Sequence, residues 1–200
     1  MEIIFQQKKL KFDNKLLPEN IIQIINELLS KDYIFSYFIA DGIEVLESHE
    51  DYLNQYINEI GRIEVFAQTV IEFVNDILLS AEDYIIRANP ELGTLAEEFY
   101  DNPNSDSWSR FSQLLDGLQW LSDMILLIGD STVKPLNWGG YVKVSNEMQG
   151  ILKNLEEALQ NEDNVLIGDL IEYEIIENFK ALGKEIQKSI DVEGRRYDLS

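Results

Sequence analysis

Residues 33–46 decide the fold of the N-terminal part of the chain, and they read YIFSYFIADGIEVL. Two runs of aromatic and β-branched residues, 33–40 and 43–46, flank the dipeptide Asp41-Gly42. Such runs favour strands, and Asp-Gly accepts the positive φ angles of a type I′ turn. The segment therefore predicts a β-hairpin, which is the strongest local signal in the chain.

The residues on both sides of this hairpin predict three further strands and one main helix. Residues 2–5 and 9–12 alternate in character and indicate a first hairpin, and residues 62–66 alternate in the same way. Pro18 suits the first turn of a helix whose apolar residues recur at helical spacing. A short helical piece is expected at 50–60, before the last strand.

This order of elements resembles the β-grasp fold of ubiquitin-like domains. The resemblance covers residues 1–67 and rests on element order and spacing, including the short helical region Glu50-Asp51-Tyr52, without a signature motif. The sequence ends in Tyr197-Asp198-Leu199-Ser200 rather than in the Gly-Gly of conjugated modifiers, and Gly139-Gly140 is internal. The resemblance therefore implies a small interaction scaffold and not a modifier, because a fold does not by itself give a function.

From Thr69 onward the apolar residues recur at helical spacing. Thr69-Val70-Ile71-Glu72 reads as a capping box, and Asn89-Pro90 is expected to end the first helix and begin the second. Three more helices are expected near 105–129, 144–159 and 163–190. The predicted fold class is α+β: a β-grasp-like sheet with one main helix at 1–67, an antiparallel bundle of about five helices at 68–190, and a flexible tail at 191–200.

Composition excludes several classes of protein. The 200 residues hold 16 basic and 37 acidic side chains, a net charge of −21, with 45% apolar residues, one histidine and no cysteine. A chain without cysteine has no disulfide framework, thiolate metal site or cysteine nucleophile. Phosphate backbones and anionic membrane surfaces repel so negative a chain, so we expect no nucleic acid and no membrane, and a protein partner that, if charged, is basic. Without a secretory signal or an apolar run of 18 residues, the sequence predicts a cytoplasmic location.

Motifs for catalysis, cofactors and metals are incomplete. His49 is the only histidine, so the Glu-x-x-His pairs of a di-metal bundle cannot form, and no Gly-x-Ser-x-Gly or phosphate-binding loop occurs. His49 is interpreted as a polar residue near the exit of the second hairpin. Residues 161–172 match a calcium loop in part, but Val165 and Leu166 stand where a ligand and a glycine are required. We therefore predict no catalytic, cofactor-binding or metal-binding residue, and no cofactor.

Charge is concentrated in residues 63–133, which hold 13 acidic residues against Arg87 and Arg110, a net of −11. This stretch would steer a basic partner, or mimic a polyanion and block a nucleic-acid-binding protein. The alternative is a solvated helix surface that keeps the protein soluble.

Four residues are candidates for an interaction surface. Pleat alternation places Ile4 and Phe66 on the sheet face opposite the main helix, with either Tyr37 or Phe38 beside them. Trp138 and Tyr141 belong to a 13-residue connection between helices, 129–141, longer than is usual. The alternative is that Trp138 caps the end of the bundle.

Three functional hypotheses follow. The leading one is an acidic, non-enzymatic protein-interaction protein, an adaptor or a small chaperone. The second is an inhibitor or immunity-type protein that neutralises a basic partner by charge mimicry. The third is an enzyme of another class that uses only Asp, Glu, Tyr or Ser.

Overall fold

A computed structural model describes residues 1–13, 16–194 and 196. The chain divides into two compact units, with the boundary after Phe73. A mixed sheet and two helices make the first unit, and long helices make the second. The predicted α+β class is therefore confirmed.

The first unit is a five-stranded mixed sheet with helices. Its elements are β1 (Glu2–Phe5), β2 (Lys8–Lys11), α1 (Pro18–Leu29), β3 (Tyr33–Ala40), β4 (Ile43–Val45), α2 (His49–Tyr56) and β5 (Arg62–Thr69). The strand order is β2-β1-β5-β3-β4, with β1 parallel to β5 and every other pair antiparallel. Ile3, Ile21 and Ile63 are fully buried in the core of this unit.

The predicted turn between β3 and β4 is confirmed. Asp41 and Gly42 both have positive φ, 47° and 90°. The Asp41 carboxylate also accepts hydrogen bonds of 2.8 Å from the backbone N–H groups of Gly61 and Arg62. The aspartate of the turn therefore fixes the start of β5 as well, a role that sequence analysis missed.

The capping box at Thr69 is also confirmed. The Glu72 N–H donates to the Thr69 hydroxyl over 3.2 Å, and the Glu72 carboxylate accepts from the Thr69 N–H over 2.9 Å. Thr69 is at once the last residue of β5 and the cap of the following helix. The strand therefore passes into the helix without a loop.

Helices in the second unit form four antiparallel rods. The elements are α3 (Val70–Tyr100, which begins in the first unit), α4 (Ser105–Asp130), α5 (Trp138–Gln160), α6 (Asn164–Asp169), a π-helical segment (Leu170–Ile175) and α7 (Ile176–Glu193). The last three are continuous and form one rod. Ring contacts join α3 to α4 through Phe99 and Trp108, and α3 to α7 through Tyr84 and Phe179.

The helix break expected at Asn89-Pro90 is wrong, since Pro90 lies inside α3. Ile85, Leu92 and Phe99 keep a spacing of seven residues across the proline, and all three are buried. Burial of this continuous apolar face outweighs the roughly 3 kcal/mol that an internal proline costs a helix. The bundle accordingly has one rod fewer than the five helices expected.

The last helix continues to Glu193, three residues beyond the expected end of the bundle at Ile190. The guanidinium of Arg196 pairs with the carboxylates of Glu82 (2.6 Å) and Asp191 (3.2 Å). The rest of the expected tail, residues 195 and 197–200, lies outside the described residues.

Candidate functional site

Tyr141 lies in the interior of the bundle, and Trp138 packs against it. Tyr141 is fully buried, and its hydroxyl is 2.8 Å from the Ser189 hydroxyl. The two aromatic rings stack with centroids 5.4 Å apart, and a Cβ on Gly129 would lie 3.2 Å from the indole. This arrangement is that of an indole capping one end of the bundle.

A polar cluster holds the start of α5 against α7. The Asn137 amide donates to the Glu185 carboxylate (2.7 Å) and backbone carbonyl (2.9 Å), and the Ser189 hydroxyl donates to Asn137 Oδ1 (2.7 Å). A hydrogen bond from Lys188 lowers the pKa of Glu185, and burial raises the pKa of Tyr141. Because Ser189 is buried and its hydroxyl is engaged, this cluster fixes the helices rather than offering a reactive group.

Ile4 and Phe66 occupy strands β1 and β5 of the first unit. Ile4 is buried, whereas Phe66 is 38% exposed. Tyr37 stacks on Phe66 with ring centroids 4.7 Å apart and planes 1° from parallel, while Phe38 is in the core. Of the two alternatives for the residue beside Phe66, Tyr37 is therefore the correct one.

His49 begins α2 and lines a pocket of about 490 Å³ within the first unit. Its ring meets Phe35 edge-on at 4.9 Å and lies 5.5 Å from Phe38. Its Nε2 atom is buried, with no hydrogen-bond partner among the residues that the structure describes. The single histidine is thus packed mainly against aromatic rings.

The segment considered as a calcium loop is mostly helix. Asp163 caps α6 by accepting a 3.0 Å hydrogen bond from the Leu166 N–H. Asp169 accepts a 2.8 Å hydrogen bond from the Tyr100 hydroxyl, which lies on α3. Within the described ranges, no group of three or more acidic or histidine side chains is placed to hold a metal ion.

An open groove lies between α3 and the rod that contains the π-helical segment. We call it the α3–π groove; its volume is about 770 Å³. Its walls combine apolar and polar side chains from both rods, namely Ile85, Ile86, Asn89, Pro90, Gly93, Glu172, Tyr173, Ile176, Glu177 and Lys180. Sequence analysis predicted none of them as site residues.

Both walls of the α3–π groove carry a backbone irregularity. Pro90 has no N–H, so the Ile86 carbonyl lacks its usual helical donor. On the other wall, residues 170–175 are π-helical, a departure that occurs frequently at functional sites. Gly93 widens the groove further, because a Cβ placed there would meet nothing within 4 Å.

Polar atoms of the α3–π groove are mainly hydrogen-bond acceptors. Asn89 Oδ1 is buried without a hydrogen-bond partner in the described part of the chain. Lys180 already binds the Glu177 carboxylate over 2.7 Å, a contact that lowers the pKa of Glu177. Glu172 makes no ion pair with any described residue. Glu172 therefore brings a carboxylate to the groove beside an apolar surface.

Further along α3, the ring of Tyr100 lies over Gly168. A Cβ on Gly168 would come within 2.8 Å of that ring. Desolvation and the hydrogen bond to Asp169 raise the pKa of Tyr100 to about 12. The phenol therefore stays protonated at neutral pH and holds α3 to the end of α6.

No helix within the described residues is long and apolar enough to cross a membrane. No curated protein and no solved structure matches the chain. Residues 76–185 match the model of a family described as a domain of unknown function (DUF8042), and this span contains every residue that lines the α3–π groove. Since the match covers more than half of the 200 residues, the chain belongs to the DUF8042 family.

Proposed function

We propose that the chain is a non-enzymatic protein-interaction protein that docks a segment of a partner protein in the α3–π groove. The observation that carries this proposal is the groove itself, which is lined by Pro90 inside the continuous α3 and by the π-helical segment of the facing rod. Its volume of about 770 Å³ is within the range of ligand-binding clefts. Amphipathic helices commonly dock into grooves of this kind.

The first unit serves in this proposal as a β-grasp-like scaffold for a second contact. Its strand order β2-β1-β5-β3-β4, the parallel pairing of β1 with β5 and the single helix between β2 and β3 support a β-grasp-like arrangement. The exposed edge of the stacked Tyr37–Phe66 pair supplies an apolar contact on this unit. A chain without cysteine suits the reducing cytoplasm, which is the location we propose.

Two glycine substitutions test the groove. Gly93→Leu places a large side chain in the groove. Gly150→Leu is the matched control outside the groove, because a Cβ on either glycine meets nothing within 4 Å. Both changes replace a helical glycine by a better helix former, so neither should lower the melting temperature. A partner found by affinity purification should be lost with Gly93→Leu and kept with Gly150→Leu. Equal recovery by both variants would refute docking in the groove.

Charge mimicry is a second candidate, favoured by the excess of acidic residues in 63–133, which hold 13 acids against two arginines. Of the 13 acids in residues 63–133, five make ion pairs with arginine in the described structure: Glu64, Glu82, Asp83, Glu98 and Asp106. If the negative charge of this stretch holds the partner, its affinity should fall steeply as the salt concentration rises from 50 to 500 mM. Over that range the Debye length shortens from roughly 14 Å to roughly 4 Å. Docking in the α3–π groove predicts a shallower salt dependence and sensitivity to Gly93→Leu.

A further inference from the structure

We propose that the outer edge of β2 binds an extended acidic segment of a partner protein as an additional strand of the sheet. The inference concerns the first unit and does not depend on docking in the α3–π groove. It rests on the open backbone of this edge, on the lysines that the edge carries, and on the apolar side chain between two of them.

The backbone of β2 is open along its outer side. β2 is the first strand in the order β2-β1-β5-β3-β4, so it has a neighbouring strand on one side only. Met1 and Phe12 exchange two backbone hydrogen bonds, of 3.0 and 2.9 Å. Because bonded and non-bonded pairs alternate in an antiparallel ladder, Leu10 bonds to β1, and the N–H and C=O groups of Lys9 and Lys11 point outward. Among the described residues, none bonds to these outward groups.

Positive charge is concentrated on this edge. Lys8, Lys9 and Lys11 are three of the four residues of β2, and all are exposed, although the whole chain holds 16 basic residues against 37 acidic ones. Their one ion pair with a described residue joins Lys11 to Glu2 over 3.9 Å. Opposite charges on directly paired strands stabilise a sheet, and like charges destabilise it. The edge therefore disfavours a second copy of itself and favours a strand that carries carboxylates.

Leu10 determines the residue between these carboxylates. It is paired with the fully buried Ile3 and is itself 37% exposed, at the margin of the core. Side chains alternate between the two faces of a strand, so Lys9 and Lys11 lie on one face and Leu10 lies on the other. A strand paired with β2 therefore needs an apolar residue opposite Leu10 and an acidic residue opposite each of the two lysines. The expected partner sequence alternates acidic and apolar residues.

Backbone pairing distinguishes an acidic strand from a polyanion without a peptide backbone. Three lysines attract any polyanion, but such a ligand uses neither the outward N–H and C=O groups nor Leu10. In strand addition, main-chain hydrogen bonds give the affinity and alternate side chains give the specificity. At 0.15 M salt, exposed charges more than roughly 8 Å apart are largely screened, so the adjacent lysines outweigh the net charge of the chain.

Fluorescence anisotropy with labelled peptides and the full chain tests the proposal. The probe is a short peptide in which glutamate and valine alternate. We expect it to bind about tenfold more tightly than a block peptide of the same composition, in which all glutamates precede all valines. Two further probes carry N-methyl groups on alternate residues, one on the glutamates and one on the valines. One of these sets faces β2 and the other faces away, so one should abolish binding and the other should leave it unchanged.

Two lysine pairs provide the matched variants. Lys9→Gln with Lys11→Gln should weaken the alternating peptide about tenfold, because two cross-strand charge pairs are lost. Lys134→Gln with Lys153→Gln makes the same change in net charge at two exposed lysines of the second unit, and the affinity should not change. Because all four side chains are exposed, both variants should keep the melting temperature of the unchanged chain.

The outcomes separate this proposal from docking in the α3–π groove. Absence of binding, equal binding of the alternating and block peptides, or equal effects of the two N-methylated sets would each overturn strand addition. Unchanged affinity in the Lys9 and Lys11 variant would also overturn it, because the peptide would then bind elsewhere. Gly93→Leu should not affect the peptide, and a loss of binding in that variant would assign the peptide to the groove. Each of these failures leaves the Gly93 and Gly150 purification to decide groove docking.

Discussion

Replacing Pro90 by alanine should make the protein more stable. Proline inside a helix is about 3 kcal/mol less favourable than alanine. Proline also restricts the unfolded chain, and losing that restriction costs about 0.4–1 kcal/mol. Pro90 is exposed, so removing its ring leaves no cavity. We therefore expect Pro90→Ala to raise the free energy of unfolding by about 2 kcal/mol.

Urea unfolding followed by circular dichroism at 222 nm measures this change. With a slope of about 2 kcal/mol per molar, the midpoint should rise by about 1 M at unchanged slope. Pro103→Ala is the control, because Pro103 lies in the connection between α3 and α4, outside any helix. There only the unfolded-state effect operates, so the midpoint should fall slightly.

Opposite signs for the two proline variants are the diagnostic result. A Pro90→Ala variant that is unchanged or less stable would show that α3 does not carry the cost of an internal proline.

Three further substitutions test other parts of the structure. Thr69→Ala should lower the free energy of unfolding by about 1 kcal/mol in urea, as loss of an N-cap does, and a neutral result would contradict the capping box. Gly117→Ala should lower the melting temperature strongly, since the added Cβ would lie 1.6 Å from the Tyr84 hydroxyl. If this clash is the cause, adding Tyr84→Ala should restore part of the lost stability. The raised pKa of Tyr100, about 12 against the ordinary 10.0, gives stability that is complete below pH 10 and lost as pH rises through 12. Absorbance at 295 nm should show the titration of the Tyr100 phenol, and Tyr100→Phe should remove it. Asp169→Asn should move the pKa of Tyr100 toward 10, and an unmoved pKa would contradict the hydrogen bond.

Sequence reasoning succeeded where one short segment determines the structure. Asp41-Gly42 accepts positive φ regardless of the rest of the protein, and Thr69 and Glu72 satisfy each other's backbone groups within four residues. It failed at Pro90, where the local rule for proline conflicts with the periodic burial of Ile85 and Leu92. The unbroken spacing of apolar residues across Pro90 was the available signal, and it should outweigh a single proline in a long amphipathic pattern.

The candidate site was harder to predict, because one of its walls is the helix that sequence reasoning divided at Pro90. In the sequence, a break and a turn are indicated by Asn89, Pro90 and Gly93. Once α3 is known to be continuous, these residues are seen to line one wall of the groove. Nothing in the composition of residues 170–175 distinguishes a π-helical turn from an α-helical one. Trp138 and Tyr141 stood out as large aromatic residues, yet their rings stack on each other within the bundle, and large aromatic residues are usually well buried.

At the α3–π groove, local preference and tertiary packing disagree. A 31-residue helix keeps both a proline and an open glycine within four positions, although alanine at either would raise helix stability. The facing rod departs from α-helical geometry within the same groove. Departures from ideal structure tend to gather at functional sites, and their cost in stability is compensated elsewhere in the protein. If Pro90→Ala and Gly93→Ala both raise stability and both weaken partner binding, the irregularities are kept for the groove and not for the fold.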